Sequence, residues 1–267
     1  MRASDALDHA ALRRHVTAAV REAGALALTW FKAPVKTWLK NGQSPVSEAD
    51  LAVDALLRER LEAAGLGCGW LSEETEDDPA RLAADRVWIV DPIDGTRGFL
   101  AGLPDWSISV ALAERGRPIL AALYAPVTDE LFLATAGGGA THNDQPMTVT
   151  QGDALAGARV AGPERRLACL ASLGIVAVPK VHSLALRLAW VAQGRLDLAL
   201  AGPNGQDWDL AAADLLVHEA GGVLTTLAGA TLVYNRPTPT HGALLAAGRA
   251  RHHAFSELMR EGQIALP

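Results

Sequence analysis

The sequence predicts a mixed α/β (α+β) protein in which helices and sheets lie in layers, with a cleft between two halves. Three observations carry that expectation. Apolar residues near the N-terminus recur at helical spacing, the middle of the chain changes to short apolar runs separated by turn residues, and the C-terminal half alternates strand-like with helix-like segments.

Leu12, Val16, Ala19, Ala23, Leu26 and Trp30 place one apolar stripe along a first helix, which Pro34 is expected to end. The polar stretch Lys40-Asn41-Gly42-Gln43-Ser44-Pro45 reads as a loop. Ser47 then opens a second helix as its N-cap, with Asp50 at the capping-box position and Val53, Leu56, Leu57 and Leu61 facing inward. From Gly65 the period changes. Trp70-Leu71 and Val87 to Val90 read as strands, followed by a meander through Ile108, Val110 and Leu112, then Ile119 to Tyr124 after a turn at Gly116 to Pro118, then Leu131 to Ala134. Thr150 to Gly157 is a polar link. Beyond it Leu184 to Val191 reads as a helix, Leu196 to Leu200 as a strand, and Asp209 to Ala220 as a helix closed by Gly221 and Gly222. Residues 1–150 are expected to form an N-terminal subdomain carrying most of the candidate ligands. Residues 151–267 would complete the site, the two making one compact unit.

The 267 residues, 49% of them apolar, suffice for a continuous core. With 24 basic and 30 acidic residues the net charge is 24 − 30 = −6, and no run of Lys or Arg could track a phosphate backbone or an anionic membrane. Long nucleic acids and membranes are therefore not expected as partners. A small phosphorylated ligand stays compatible if metals supply positive charge. Cys68 and Cys169 are too few for a disulfide scaffold and form no CxxC pair, which suits a reduced cytoplasm. The apolar stretch Ala23 to Phe31 follows Arg21 and Glu22 and reads as part of an amphipathic helix, not a secretory signal. Nothing approaches the roughly 18 unbroken apolar residues of a membrane span. A soluble, cytoplasmic protein is expected.

Asp91-Pro92-Ile93-Asp94-Gly95-Thr96 follows the strand Val87 to Val90, so both aspartates emerge where side chains can converge on a ligand. Asp94 could begin a short helix, leaving the N–H groups of Gly95 and Thr96 to bind a phosphate oxygen. An ordinary strand-to-turn pair is the lesser alternative. The run Ser72 to Asp78 also follows a strand and, taken alone, reads as a solvated acidic loop. If the strands ending at Leu71 and Val90 are neighbours in one sheet, however, Glu73 and Asp91 leave the same edge side by side. Asp209 could simply cap the helix it begins, and a cap can also be a ligand. Four carboxylates without metal repel a phosphate dianion, whereas Mg²⁺ ions favour carboxylate oxygens, waters and phosphate, so Mg²⁺ suits this donor set. The eight histidines include no pair at metal-helix spacing, which argues against a zinc hydrolase. No GxxxxGK[ST] loop is present for a nucleotide-dependent kinase, and Gly65, Gly67 and Gly69 lack the dinucleotide fingerprint.

The ordered set Leu71-Ser72-Glu73-Glu74, Asp91 to Thr96 and Trp208-Asp209-Leu210-Ala211-Ala212, with Ser44 to Asp50 ahead of the second helix, resembles the inositol monophosphatase superfamily of lithium-sensitive phosphatases. The resemblance covers nearly the whole chain. It implies a layered α-β-α-β-α sandwich and an Mg²⁺-dependent phosphomonoesterase with two or three metals per site, acting on a small phosphorylated metabolite. It implies a first metal on Glu73, Asp91 and the Ile93 carbonyl, a second on Asp91, Asp94 and Asp209, and a weaker third leaning on Glu73. The attacking water would be activated near Glu73 by Thr96, polarised by Asp50, with Gly95 and Thr96 donating N–H groups to phosphate and Asp209 facing the substrate. A homodimer is compatible with it.

Within the superfamily, Lys40 ahead of Ser-Pro-Val-Ser, the Gly116 to Leu120 segment and Tyr124-Ala125-Pro126 look more like the 3′(2′),5′-bisphosphate nucleotidase branch, which cleaves 3′-phosphoadenosine 5′-phosphate to AMP. Inositol phosphatases carry a sugar-gripping glutamate before the Trp-Asp pair; this chain reads Leu200-Ala201-Gly202-Pro203-Asn204 there. Two departures cut the other way: Arg97-Gly98-Phe99 stands where that branch has a Lys-Glu-Phe type sequence, and His182-Ser183 replaces a Gly-Ser-Ser-like element. The nucleotidase reading leads, inositol 1-phosphate is the alternative, and a non-catalytic ligand-binding homologue is the third.

Overall fold

The computed structural model describes residues 8–40 and 44–267, so the centre of the expected Lys40–Pro45 loop lies outside the described residues. The N-terminal part comprises α1 (His9–Leu28), the hairpin β1 (Thr37–Lys40) and β2 (Ser44–Ser47), α2 (Glu48–Glu62), β3 (Gly69–Ser72), β4 (Arg86–Asp94) and the short α3 (Thr96–Leu100). The meander follows as β5 (Ser107–Glu114), β6 (Arg117–Ala125), β7 (Glu130–Thr135), β8 (Gly139–His142) and β9 (Gln145–Pro146). The remainder runs β10 (Arg159–Ala161), α4 (Glu164–Cys169), β11 (Val176–Ala177), α5 (Leu184–Ala192), β12 (Leu198–Ala201), β13 (Gly205–Gln206), α6 (Asp207–Glu219), β14 (Gly222–Thr226), β15 (Thr240–His241), β16 (Leu244–Gly248) and α7 (Arg249–Arg260).

Strands β3 to β9 form one seven-stranded sheet in chain order, with β3 parallel to β4 and the later pairs antiparallel. A five-stranded sheet has the order β11-β10-β12-β16-β14. Helices α1 and α2 cover one face of the large sheet, α5 and α6 lie between the two sheets, and α7 covers the outer face of the smaller one. The stack is the expected α-β-α-β-α sandwich.

Strand periodicity explains why the layers adhere. Trp88 and Val90 of β4 join the core under α1 and α2, while Val87 and Ile89 join the core shared with α5 and α6. Leu198 and Leu200 of β12 likewise face the α7 side, and Ala199 and Ala201 face α5 and α6. Small residues of β5 and β6 (Ala111, Ala113, Ala121) meet Ala211, Ala212 and Ala213 of α6, which lets that helix sit close to the sheet.

Two boundaries differ from expectation. Helix α1 stops at Leu28, well before Pro34: the Thr29 hydroxyl donates to the Leu26 carbonyl at 2.7 Å, and Lys32 takes a left-handed φ of 62° that no helix continues through. Helix α6 begins at Asp207, so Asp209 is its third residue and not its cap. Among the described residues no helix is long and apolar enough to cross a membrane.

Candidate active site

Strand β4 carries the first two candidate acidic ligands, Asp91 and Asp94. Its register with β5 shifts between Asp91 (opposite Ser109) and Asp94 (opposite Ser107), so the Pro92-Ile93 step is a bulge that brings both aspartates to one end of the sheet. Asp91 Oδ1 accepts the Ile93 N–H at 3.0 Å, which closes that turn. Gly95 follows as N-cap of α3 with φ +94°, so the short helix opens at Thr96, two residues after Asp94.

Three carboxylate positions, Asp94 among them, are set by helix N-termini. Asp94 accepts the Ser183 hydroxyl and the N–H of Ala185 (2.7 Å) on Oδ2 and that of Leu184 (3.2 Å) on Oδ1, so it sits against the first turn of α5. Asp209 Oδ2 accepts the Gln206 N–H at 2.8 Å, as the third residue of the capping box that starts α6. Asp50 plays the same part in α2, accepting the Ser47 N–H at 2.8 Å and the Ser47 hydroxyl on Oδ2. Its Oδ1 is turned to the Thr96 hydroxyl at 3.3 Å, and that hydroxyl also lies 3.1 Å from the Ile93 carbonyl. Helix dipoles thus favour negative charge at each of these points.

Asp91, Asp94 and Asp209 offer one ligand oxygen each within 4.8 Å of one another. Glu73 stands outside that triple. Its segment is placed as expected, because β3 and β4 are parallel neighbours (Ser72 opposite Val90) and the Glu73 N–H donates to the Val90 carbonyl at 3.3 Å. Burial lifts the Glu73 carboxyl to about 8, helped by the charges of Asp209 and Glu74 and opposed by Lys40. Asp209 rises to about 7 through burial and Asp94, and Asp91 rises well above the carboxylate range through burial and then Glu73. Asp94 is raised by burial against its hydrogen bonds from Ser183, Ala185 and Leu184. Acids crowded this way, with only oxygen donors, fit a hard divalent cation: a bound ion would stabilise the charges that burial and mutual repulsion disfavour.

Glu74 is not the solvated residue its acidic run suggests. Its side chain is only 6% exposed and lies 3.4 Å from Lys40, whose ammonium also donates to the Glu73 carbonyl. The β1–β2 hairpin therefore closes over this loop. Sequence reasoning also missed Asp54, which accepts the hydroxyls of Ser72 and Thr75 (2.6 Å) and ties the Glu73 loop to α2. The available signal was spacing: Asp54 follows Asp50 by one helical turn, on a face otherwise filled by Val53 and Leu57. Arg187, whose charge acts to lower the Asp94 carboxyl, was likewise not read from the sequence. His182 is held by Asp105 through its N–H (2.7 Å) and ring Nδ1 (2.8 Å), and packs against Gly98.

The inositol monophosphatase family matches residues 8–262, with the acidic clusters inside the match. The chain belongs to that family. It is 38% identical over 202 residues to the inositol-1-monophosphatase of Rhizobium meliloti, covering 72% of this chain and 75% of that one. It is 34% identical to the histidinol-phosphatase of Mycobacterium tuberculosis, covering 70% of this chain and 75% of the relative, and 32% identical to the Nus factor SuhB of Escherichia coli, covering 79% and 83%. Among solved structures, the suhB protein of Bartonella henselae superposes with a TM-score of 0.84 at 28% identity, covering 94% of this chain and 99% of that one. The family member is a metal-dependent phosphatase with the family fold. These names do not single out the nucleotidase branch.

Proposed function

We propose that the protein is an Mg²⁺-dependent phosphomonoesterase that hydrolyses a small phosphorylated metabolite, with inositol 1-phosphate as the leading substrate. The observation that carries the chemistry is the convergence of Asp91, Asp94 and Asp209 within 4.8 Å. Glu73, Asp91, Asp94 and Asp209, with the Ile93 carbonyl, would hold Mg²⁺. The ion supplies positive charge that draws in the phosphate and polarises it for in-line attack by water. The Thr96 hydroxyl has the Ile93 carbonyl at 3.1 Å and Asp50 Oδ1 at 3.3 Å as acceptors; donating to Asp50 would leave its oxygen free to accept a hydrogen bond from a water. Burial raises the Asp50 carboxyl, which makes it a better proton acceptor than an exposed one. The Gly95 and Thr96 N–H groups orient the phosphate at the start of α3, and Asp209 faces the substrate. Residues 1–150 would supply most of the ligands and residues 151–267 would complete the site, the two making one compact unit.

The leading substrate rests on the relatives that carry inositol-1-monophosphatase names. A second reading, 3′-phosphoadenosine 5′-phosphate, is favoured by a cavity of about 860 Å³ beside α5. Its wall is largely apolar (Leu167, Ile175, Val178) and carries Lys180 and Arg187 against one acid, Glu164, with Arg187 also donating to the Leu200 and Val181 carbonyls. That chemistry suits a base and a second phosphate better than it suits a neutral polyol. Phosphate release from inositol 1-phosphate, histidinol phosphate and 3′-phosphoadenosine 5′-phosphate, each with and without Mg²⁺, decides among them. No Mg²⁺-dependent release from any would remove the phosphatase assignment of this site.

A further inference from the structure

Glu73 and Asp209 belong to segments far apart in the sequence, so contacts between those segments set where the two carboxylates stand relative to one another. A continuous chain of hydrogen bonds joins the two segments. Four residues after Glu73, Asp77 makes a two-pronged ion pair with Arg81, through Nε at 2.5 Å and Nη2 at 2.8 Å. Arg81 is buried at 2% exposure, and its Nη1 donates to Asn235 Oδ1 at 2.7 Å. The Asn235 amide donates back to the Arg81 carbonyl at 3.1 Å. The Asn235 backbone N–H then donates at 2.7 Å to Asp207, the fully buried first residue of α6, which also binds His241 Nε2 at 2.7 Å. Pairing of β13 with β15 and the Asp207 N–H to the Pro239 carbonyl (2.8 Å) complete the hold on that helix start.

We propose that Asn235 is a positioning residue for the metal site, bridging the segment that follows Glu73 to the helix start that carries Asp209. The proposal rests on the reading of Glu73 and Asp209 as metal ligands. Asn235 suits the post because its backbone is left-handed (φ +57°), a conformation Asn adopts more readily than most side chains. Losing the side chain leaves the backbone N–H bond to Asp207 intact and weakens the bridge, which then rests on the Arg81 donations to the Arg236 carbonyl at 3.2 Å.

The experiment compares wild type with Asn235→Gly, which keeps the left-handed backbone without strain, and with Asp77→Asn, which weakens the outer end of the bridge at a half-exposed position. Mg²⁺ binding is read calorimetrically without substrate, alongside the Mg²⁺ concentration for half-maximal turnover. Asn235→Gly should weaken Mg²⁺ binding by about 3- to 10-fold, at or below the lower end of what loss of an outer-shell partner costs. The half-activating concentration should rise in step, while the substrate KM at saturating Mg²⁺ is unchanged. Asp77→Asn should give a smaller shift the same way, and Asn235→Asp, which keeps the acceptor for Arg81, should recover part of the loss. Wild-type Mg²⁺ binding in both Asn235→Gly and Asp77→Asn, or a fall in Tm and kcat without a shift in Mg²⁺ affinity, would overturn the proposal. If Asn235→Gly does not fold, Asp77→Asn alone decides. Absence of both Mg²⁺ binding and turnover in the wild type would overturn the functional reading, and the proposal with it.

Discussion

The Thr96 hydroxyl lies 3.3 Å from Asp50 Oδ1, while Asp50 Oδ2 is committed to capping α2 through Ser47. One carboxylate therefore serves the fold with one oxygen and, in the proposed mechanism, the reaction with the other. Thr96→Val keeps the shape and removes the hydroxyl, and kcat should fall by about 10²-fold with little change in Tm, the scale of losing one proton-relay group. Thr96→Ser should recover most of it. A Thr96→Val enzyme with wild-type kcat would remove this pair from the mechanism.

The raised acids give the metal-free protein a signed pH dependence. Glu73 and Asp209 rise from 4.5 and 3.8 to about 8 and about 7. Carboxyls with a higher pKa in the fold than in the unfolded chain favour the fold below their ordinary values. That contribution is lost as pH rises through 7 and 8. The Tm of the metal-free protein should fall between about pH 4 and pH 8 and level off above that, and Mg²⁺ should stabilise more as pH rises through the same window. Because protons must leave these groups, calorimetric binding heats near pH 6.5 should depend on the buffer's own ionisation heat. Heats independent of buffer would mean the acids are already ionised.

Lys40 and Glu74 act on Glu73 with opposite sign, one lowering its pKa and the other raising it. Glu74→Gln should move the Mg²⁺ activation profile to lower pH, and Lys40→Gln should move it to higher pH. Lys40 is 38% exposed, so solvent screening keeps its effect to a fraction of a pH unit. Movement of both profiles in the same direction would show that the hairpin acts by shape instead of charge.

Asp94→Asn removes a charge from the triple and also places an amide against the N–H of Ala185 or the hydroxyl of Ser183, where only an acceptor fits. Turnover should drop by orders of magnitude and stability by about 1 kcal/mol or more, the cost of a spoiled cap. Ser183→Ala separates the two effects: it loses the hydroxyl that also caps α5 at Leu186 (2.9 Å) but keeps the Asp94 charge. Its Tm should fall while Mg²⁺ dependence persists. Near-normal activity of Asp94→Asn at ordinary Mg²⁺ would strike it from the ligand set.

Local signals made much of this molecule legible. Ser47 and Asp50 announce a capping box in four residues, and Val87 to Val90 can only be a strand buried on both faces. The continuation of β4 through Pro92 to Asp94 was not legible, because a proline lacks the ladder N–H and reads as a stop; here it sits in a bulge. The start of α6 was obscured because Gln206 is a weak capping type, its hold supplied by Asp209 from within the helix. The burial of Glu74 and the Arg81–Asn235 bridge arise from segments brought together by the tertiary fold, 34 and 154 residues apart, and no local pattern encodes them.

Gly95 joins backbone geometry to catalysis. At φ +94° any other residue is strained, and a Cβ there would lie 3.0 Å from the Ser183 nitrogen and 3.2 Å from the Asp105 carbonyl, both backbone atoms that cannot swing aside. Relieving the clash must displace Ser183, which holds Asp94 and starts α5. Gly67 is the control, with φ +60° and open space around its Cβ position. Gly67→Ala should cost only backbone strain, about 1–2 kcal/mol, with specific activity and Mg²⁺ affinity unchanged. Gly95→Ala should lose more stability than that, bind Mg²⁺ more weakly, and turn over orders of magnitude more slowly. Equal Tm losses for the two variants, with Mg²⁺ affinity preserved in both, would show that the contact between Gly95 and Ser183 does not set the position of Asp94.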